Sequence, residues 1–300
     1  MNNKKPKERV VVIGVLTPKT HKFEARESFE ELKSLARTAG GEVVYEQFID
    51  IKHFNPPTFI GKGNVIELKE KICNIDADLV IIDYELSPIQ NRNLEKTWET
   101  RVIDRTSLIL DIFARHASSK EGKLQVELAQ YQYLLPRLVG QWTHFSKQRG
   151  GRIGMTGPGE TQLEVDRRRV RERISMIKKS LLKVNNSREI HRQKRQSVPI
   201  PTVSIIGYTN TGKSTLFNTL ANAKELAENK LFATLDPKTK KLKLPSGQIV
   251  LLSDTVGFIR NLPHQLIESF KSTFEEVAGS DLLIHVIDAS HPNRDRQMKT

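Results

Sequence analysis

The sequence predicts an α/β protein in three segments. These are an N-terminal parallel-sheet domain over residues 1–115, a long helical hairpin over 116–197, and a P-loop domain over 198–300 whose sheet is incomplete. Three observations carry this expectation. Short apolar runs alternate with helix-length amphipathic stretches through the first third of the chain. Two stretches in the middle carry apolar residues at steps of three and four. Finally, G-Y-T-N-T-G-K-S-T, Gly207 to Thr215, follows the apolar V-S-I-I and leads into L-F-N-T-L-A, the strand–loop–helix context that a phosphate-binding loop requires.

In the first segment Val10–Leu16 reads as a buried strand, Ala25–Thr38 as a helix, and Glu42–Ile49 and Leu79–Tyr84 as further strands. Gly61, Gly63 and Val65–Ile72 lie between them as loop and helix. Val102–Phe113 is a longer apolar stretch that its pattern does not assign to either state. In the middle, Leu124, Leu128, Tyr131, Leu135, Leu138 and Trp142 make one helical seam. Leu163, Val170, Ile174, Ile177, Leu181 and Val184 make a second. Pro136 lacks an amide hydrogen and is expected to bend the first helix. Thr161 with Glu164 resembles a capping box starting the second. Between them R-G-G-R-I-G-M-T-G-P-G, Arg149 to Gly159, has five glycines in eleven residues and is expected to stay mobile until a partner orders it.

In the third segment the loop Gly207, Tyr208, Thr209, Asn210, Thr211, Gly212, Lys213, Ser214, Thr215 would converge its amide hydrogens on a nucleoside triphosphate at the positive end of the next helix. Lys213 is expected to meet the β and γ phosphates, and Ser214 to bind Mg²⁺. Some forty residues on, the apolar strand Ile249–Leu252 precedes D-T-V-G. Asp254 falls where a second carboxylate beside Mg²⁺ is needed, and the Gly257 amide where it would sense the γ phosphate. Between the two motifs, L-F-A-T-L-D contributes Phe232 to the nucleotide site and Thr234 as a Mg²⁺ ligand that also meets the γ phosphate. Phe258 follows Gly257, where Ras-like switches place a glutamine that orients water. A phenyl ring cannot do so, and hydrolysis is expected to be slow until a partner assists. Asn210 is placed either to brace the loop or to help bind a monovalent cation such as K⁺ near the phosphates. Leu282–Ile287 reads as the next strand, with Asp288 capping its end. No N-K-x-D follows before Thr300, so the base-reading half of the domain is expected to be missing and this strand to be a sheet edge.

Charge singles out the middle segment. The chain carries +13, and from Arg137 to Arg195 sixteen Lys or Arg face five Asp or Glu, which places +11 in that stretch. A block of this size points to a polyanionic partner. Arg149, Gly150, Gly151, Arg152, Gly154, Gly157 and Gly159 of the loop, with Arg167, Arg168, Arg169, Arg171 and Arg173 of the second helix, are the candidate RNA contacts. Arginine forks suit phosphate oxygens and stack on unpaired bases. Glycines let a loop enter a narrow RNA cavity with little bulk. Nothing in the pattern points to DNA specificity. The longest apolar run, Val10–Leu16, is far short of the roughly 18 residues of a membrane span, and no signal-like region follows the charged start. One cysteine, Cys73, excludes a disulfide framework and a cysteine-based zinc site. A cytoplasmic protein is expected. His116, His144 and His191 are isolated, and no acid–base constellation of a metabolic enzyme is present.

The stretch Arg149 to Ile174 resembles the signature of the HflX family of ribosome-associated GTPases, as do Glu121 to Gln130, L-P-R-L-x-G-x-W at Leu135 to Trp142, the P-loop, and the D-x-x-G followed by phenylalanine. The resemblance spans essentially the whole chain. It implies an α/β domain with a helical extension and then a Ras-like GTPase domain. It also implies binding to the large ribosomal subunit near its catalytic centre, hydrolysis of GTP to GDP stimulated there, and separation or rescue of stalled ribosomes. It maps phosphate and Mg²⁺ binding onto Lys213 and Ser214, the switches onto Thr234, Asp254 and Gly257, and the approach to ribosomal RNA onto Gly150–Gly159. Thr211 stands where an alanine is usual. The alternative reading is a nucleotide-dependent switch acting on a non-ribosomal protein or RNA partner.

Overall fold

The computed structural model describes residues 7–138, 162–196, 200–222, 231–232, 235, 238–260, 262, 266 and 277–299, without side chains for 162 and 185–196. The chain divides into two compact units. One comprises Met1–Asp111 with Tyr131–Arg173, the other Ile112–Gln130 with Ile174–Thr300.

The first unit holds β1 (Arg9–Leu16), α1 (Lys22–Thr38), β2 (Glu42–Asp50), α2 (Lys62–Ile75), β3 (Leu79–Ile82), α3 (Pro88–Trp98) and β4 (Arg101–Asp104). Its four strands are all parallel, in the order β2-β1-β3-β4. Buried strands of this kind read as unbroken apolar runs, and Val10 to Ile13 and Leu79 to Ile82 are all buried. On one face, Val11, Ile13, Val80 and Ile82 meet Val65, Leu68 and Ile72 of α2 and Leu94 and Trp98 of α3 in one core. Local chemistry sets the helix ends. Ser87 and Gln90 form a reciprocal capping box at the start of α3, with Pro88 in its first turn. Asp76 and Glu99 end α2 and α3 in the left-handed conformation.

Val102–Phe113 resolves into two elements, β4 and then α4 (Arg105–His116). The hinge is Asp104, whose carboxylate accepts the Ser107 amide (2.8 Å), the N-cap bond that starts α4. Arg105 is buried at this turn, paired with Asp83 at 3.1 Å and with Glu31. Burial alone would lower its pKa, but the Asp83 and Glu31 carboxylates outweigh that and raise it.

The first middle helix is shorter than its apolar seam suggests. α5 covers Lys120–Leu134 and passes into a 3₁₀ turn over Leu135–Arg137, where Pro136 has no amide to donate. Its buried stripe is Glu121, Gly122, Gln125, Val126, Leu128 and Ala129. That stripe is rotated from the expected seam, and Leu124 is only half-buried. Trp142, Thr161 and the connection between the helices lie outside the described residues. The second helix, α6, runs Gln162–Gln196, with Ile177 buried and Leu163, Val170, Ile174, Leu181 and Val184 half-buried.

Asp104 also gathers the end of the first middle helix. It accepts the Tyr133 hydroxyl (2.8 Å) and the Arg137 guanidinium (3.2 Å), and Arg137 donates to the Leu86 carbonyl as well (2.8 Å). Burial, then the Asp104 charge, push the Tyr133 phenol well above its ordinary pKa, so it stays a hydrogen-bond donor. Arg137, the first cation of the +11 segment, is thus spent on an internal ion pair. Tyr133→Phe should cost about 1.5–3 kcal/mol, the usual range for a bond to a charged acceptor. Urea unfolding would measure it.

The second unit holds β5 (Thr202–Gly207), α7 (Lys213–Leu220), β6 (Lys238–Lys243), β7 (Ile249–Asp254), β8 (Leu282–Val286) and α8 (Arg294–Gln297). Its sheet order is β6-β7-β5-β8, with β6 antiparallel to β7 and the rest parallel. Val203, Ile205, Phe217, Val250 and Leu252 form its core. Among the described residues β8 is an edge strand, with Leu282 and Leu283 exposed. No helix among the described residues is long and apolar enough to cross a membrane.

Candidate nucleotide site

The site is built at the carboxyl ends of β5 and β7, neighbouring parallel strands. A side chain at Gly207 would run into the Val286 carbonyl oxygen of β8, and its φ is 152°. Asn210 and Gly212 both take positive φ, 61° and 88°. Asparagine tolerates that conformation better than most residues, and glycine has no penalty there. Gly212 has open space around it, so conformation rather than crowding selects glycine. The loop then delivers the first turn of α7, whose amides have no intrahelical partners and point back along the helix axis.

Lys213 is buried and folds over the loop, its Nζ donating to the Tyr208 carbonyl (2.5 Å). Thr211 Oγ1 donates to the same carbonyl (2.9 Å). Ser214 Oγ donates to Asp254 Oδ2 at the end of β7 (2.7 Å). The D-x-x-G turn packs directly on the loop. Phe258 N–H donates to the Gly207 carbonyl (3.0 Å) and Thr209 N–H to the Phe258 carbonyl (2.8 Å). A Cβ on Gly257 would lie 2.8 Å from Lys213 Nζ and 2.8 Å from Thr209 Cα. The two motifs, about forty residues apart in sequence, therefore meet without room for a methyl group. The Thr209 amide is taken by this pairing, which leaves the amides from Asn210 onward to face a phosphate.

Two oxygen donors, a hydroxyl and a carboxylate, converge beside an ammonium and a helix N-terminus. That suits Mg²⁺, which takes one or two protein oxygens and completes its shell with phosphate and water. Among the described residues no group of three His, Cys, Asp or Glu could form an all-protein cage.

Burial, opposed only by Asp254, pulls the Lys213 pKa down to about 8. The ordinary value is higher, so the folded ligand-free protein holds fewer protons on this amine than the unfolded chain between pH 8 and the ordinary lysine range. The penalty for burying the ammonium is present below pH 8 and relieved as pH rises through it. A triphosphate needs the charged form. Nucleotide binding at pH 8.5 should therefore take up a proton, whereas binding at pH 6.5 should not. Calorimetry in buffers of different ionisation enthalpy would show this.

Some functional groups were not apparent from the motifs. The Tyr208 hydroxyl accepts the Arg260 amide (3.1 Å) while its carbonyl holds Lys213, so this side chain ties the P-loop to the chain after D-x-x-G. Thr255 Oγ1 donates to the Ile205 carbonyl (2.7 Å) and locks β7 to β5. Phe258 acts through its backbone, as a bridge to Tyr208. Phe232 is buried, with its ring against Phe113. Thr234 lies outside the described residues, as do Arg149, Gly150, Gly151, Arg152, Gly154, Gly157 and Gly159. Of the arginines on α6, Arg168, Arg169, Arg171 and Arg173 are exposed and Arg167 is half-buried. Arg168 faces Glu172 (3.9 Å) and Arg169 faces Asp166 (3.6 Å), loose surface pairs that are weak in water.

Comparison with known proteins matches three consecutive family models. Residues 26–114 match the GTP-binding GTPase N-terminal region, 116–195 the GTP-binding GTPase middle region, and 202–300 the 50S ribosome-binding GTPase. A GTPase HflX of Caldanaerobacter subterraneus subsp. tengcongensis is 52% identical over 293 residues, covering 98% of this chain and 67% of the relative. A GTPase HflX of Magnetococcus marinus is 49% identical over 294 residues, covering 98% and 68%. The crystal structure of a GTP-binding protein from Sulfolobus solfataricus in complex with GDP matches at 26% identity and a TM-score of 0.52, covering 98% of this chain and 74% of that one. With identity of this level along nearly its full length, as the P-loop, the D-x-x-G turn and the arginine-rich signature implied, the chain belongs to the HflX family of GTPases.

Proposed function

We propose that this protein hydrolyses GTP as a factor bound to the large ribosomal subunit, and that it uses the cycle to separate or rescue stalled ribosomes. The observation that carries the reading is the closure of Gly257 onto Lys213 beside the Ser214–Asp254 pair. A γ phosphate entering there must press on both motifs, so its loss can change how they pack. Lys213 would hold the β and γ phosphates, and the amides from Asn210 to Thr215 would cradle them. Ser214 and Asp254 would hold Mg²⁺, with Thr234 as a further ligand. That ion supplies neutralisation of charge on the phosphate oxygens. Asn210, exposed on the loop, would help hold K⁺. The Gly257 amide would report the third phosphate. Phe258 offers no side-chain partner for water, so the ribosome would complete the site.

The segments 1–115, 116–197 and 198–300 would then divide the work among a ribosome-facing α/β part, an RNA-contacting helical part and the GTPase. Exposed Arg168, Arg169, Arg171 and Arg173, with the glycine loop, would contact ribosomal RNA. Binding to isolated large subunits across a salt series tests this. Six to ten phosphate contacts should lower affinity by roughly 10³–10⁵ between 50 and 200 mM salt. A flat salt response would remove the RNA contact. Stimulation of turnover by a protein alone, with ribosomes inert, would move the function to a non-ribosomal partner.

A further inference from the structure

The strand β6 carries a charge pattern that the nucleotide site does not use. It reads K-T-K-K-L-K, four lysines in six residues. Residues 198–300 hold twelve Lys or Arg and ten Asp or Glu, a net of +2. Without the four lysines of β6 the count is eight against ten, a net of −2. The positive excess of the GTPase segment is thus gathered on one strand. Among the described residues β6 is the outer strand of its sheet. Lys240, Lys241 and Lys243 are exposed. Their register partners on β7 are Leu252, Leu251 and Ile249, which offer no carboxylate. Lys238 differs, lying half-buried opposite Asp254. Leu242 packs on the core, so the alternation of a strand sends Lys241 and Lys243 to the other face, about 7 Å apart. Lys240 shares the Leu242 face yet reaches solvent at the sheet edge. Ammonium groups in a row, with no carboxylate across the strand, repel one another, and a polyanion would relieve that.

We propose that β6 is a docking strand for the phosphate backbone of ribosomal RNA, with Lys240, Lys241 and Lys243 as its contacts. Lysine is a compact point charge without the fork of arginine, which suits holding a backbone in place rather than reading bases. This rests on the ribosomal reading above and adds to it a contact on the GTPase segment, separate from the arginines of α6. Lysines on an edge strand also keep other chains from pairing with it. The test therefore uses charge reversal, which preserves that protection and repels phosphate.

Wild type is compared with Lys240→Glu/Lys241→Glu/Lys243→Glu and with the corresponding triple glutamine variant, each in the full chain. Binding to isolated large subunits is followed across a salt series, with GDP binding and thermal unfolding recorded in parallel. Each phosphate contact accounts for roughly 3-fold of the affinity lost between 50 and 200 mM salt. Both variants should therefore lose roughly 30-fold less affinity than wild type over that range, with GDP binding unchanged. At low salt the glutamate variant should bind subunits more weakly than the glutamine variant, and the glutamine variant alone decides the matter if the glutamate variant unfolds. A photo-reactive residue in place of Lys243 should crosslink to RNA. A wild-type salt response in the variants overturns the proposal, and self-association of the glutamine variant alongside it would assign the lysines to edge protection alone. A crosslink to ribosomal protein instead of RNA also overturns it. A wild type that does not bind large subunits would remove the ribosomal reading itself. A loss confined to variants of the α6 arginines would leave that reading standing and remove only this proposal.

Discussion

Lys213→Ala should lower ribosome-stimulated GTP hydrolysis on the order of 10²–10³-fold while leaving the ligand-free fold as stable as wild type, or more so. The two effects separate because Lys213 does different things in the two states. Without nucleotide its ammonium is buried, bonded to the Tyr208 carbonyl, and burial depresses its pKa to about 8. Holding a charge in that setting costs free energy, so truncation to alanine relieves strain rather than creating it. With nucleotide, on the function proposed above, the same charge would meet the β and γ phosphates. Removing one such electrostatic contact from a closed site costs on the order of 10²–10³ in turnover. Two measurements check the pair of claims. Single-turnover hydrolysis with large subunits should fall by that factor. The unfolding temperature without nucleotide should not fall, whereas the rise produced by GDP with Mg²⁺ in wild type should shrink. Unchanged hydrolysis would show that another cation serves the phosphates. A large loss of ligand-free stability would show that the bond to Tyr208 outweighs the burial of the charge.

The motifs were legible because their residue types are nearly forced. Only glycine fits beside the Val286 carbonyl at Gly207, and only a residue without a Cβ fits between Lys213 and Thr209 at Gly257. The parallel sheet was legible because unbroken apolar strands alternate with amphipathic helices. The Val102–Phe113 stretch was not, since its apolar residues serve a strand and then a helix with no break between. The deciding signal was one side chain, Asp104, capping the helix that follows it. The buried face of α5 is hidden for a related reason. The large apolar residues mark a seam through Leu124, Leu128 and Tyr131, whereas the buried face includes Gly122, Gln125 and Ala129, small or polar residues that the periodicity of large apolar groups overlooks. Arg137 adds to the +11 sum of the basic segment, although Asp104, distant in sequence, neutralises it. The Phe113–Phe232 contact joins residues more than a hundred positions apart, and no local pattern announces such a pair.

Gly257→Ala is the second substitution expected to have a large effect, and its signature should differ from that of Lys213→Ala. Gly257 has no unusual backbone conformation to explain the glycine. What excludes a methyl group is contact. The new Cβ would meet Lys213 Nζ at 2.8 Å, Thr209 Cα at 2.8 Å and Thr209 Cγ2 at 2.9 Å. The lysine tip can swing away, but Thr209 Cα is backbone, fixed by the pairing of its amide with the Phe258 carbonyl. The D-x-x-G turn must therefore back off from the P-loop, or the bridge between Tyr208 and Phe258 must open. Overpacking of this kind costs about 1–3 kcal/mol of stability. Misplacing the ammonium and the Gly257 amide by an ångström should lower turnover on the order of 10²-fold. Binding of GDP should suffer less than binding of a GTP analogue if, as proposed, the displaced amide serves the third phosphate. The double variant Lys213→Ala/Gly257→Ala should lose less than the two single losses combined, since removing the lysine vacates one of the two sites of collision. Strict additivity would mean that the methyl group acts on Thr209 alone, and wild-type turnover in Gly257→Ala would mean that the two motifs do not close on the phosphate together.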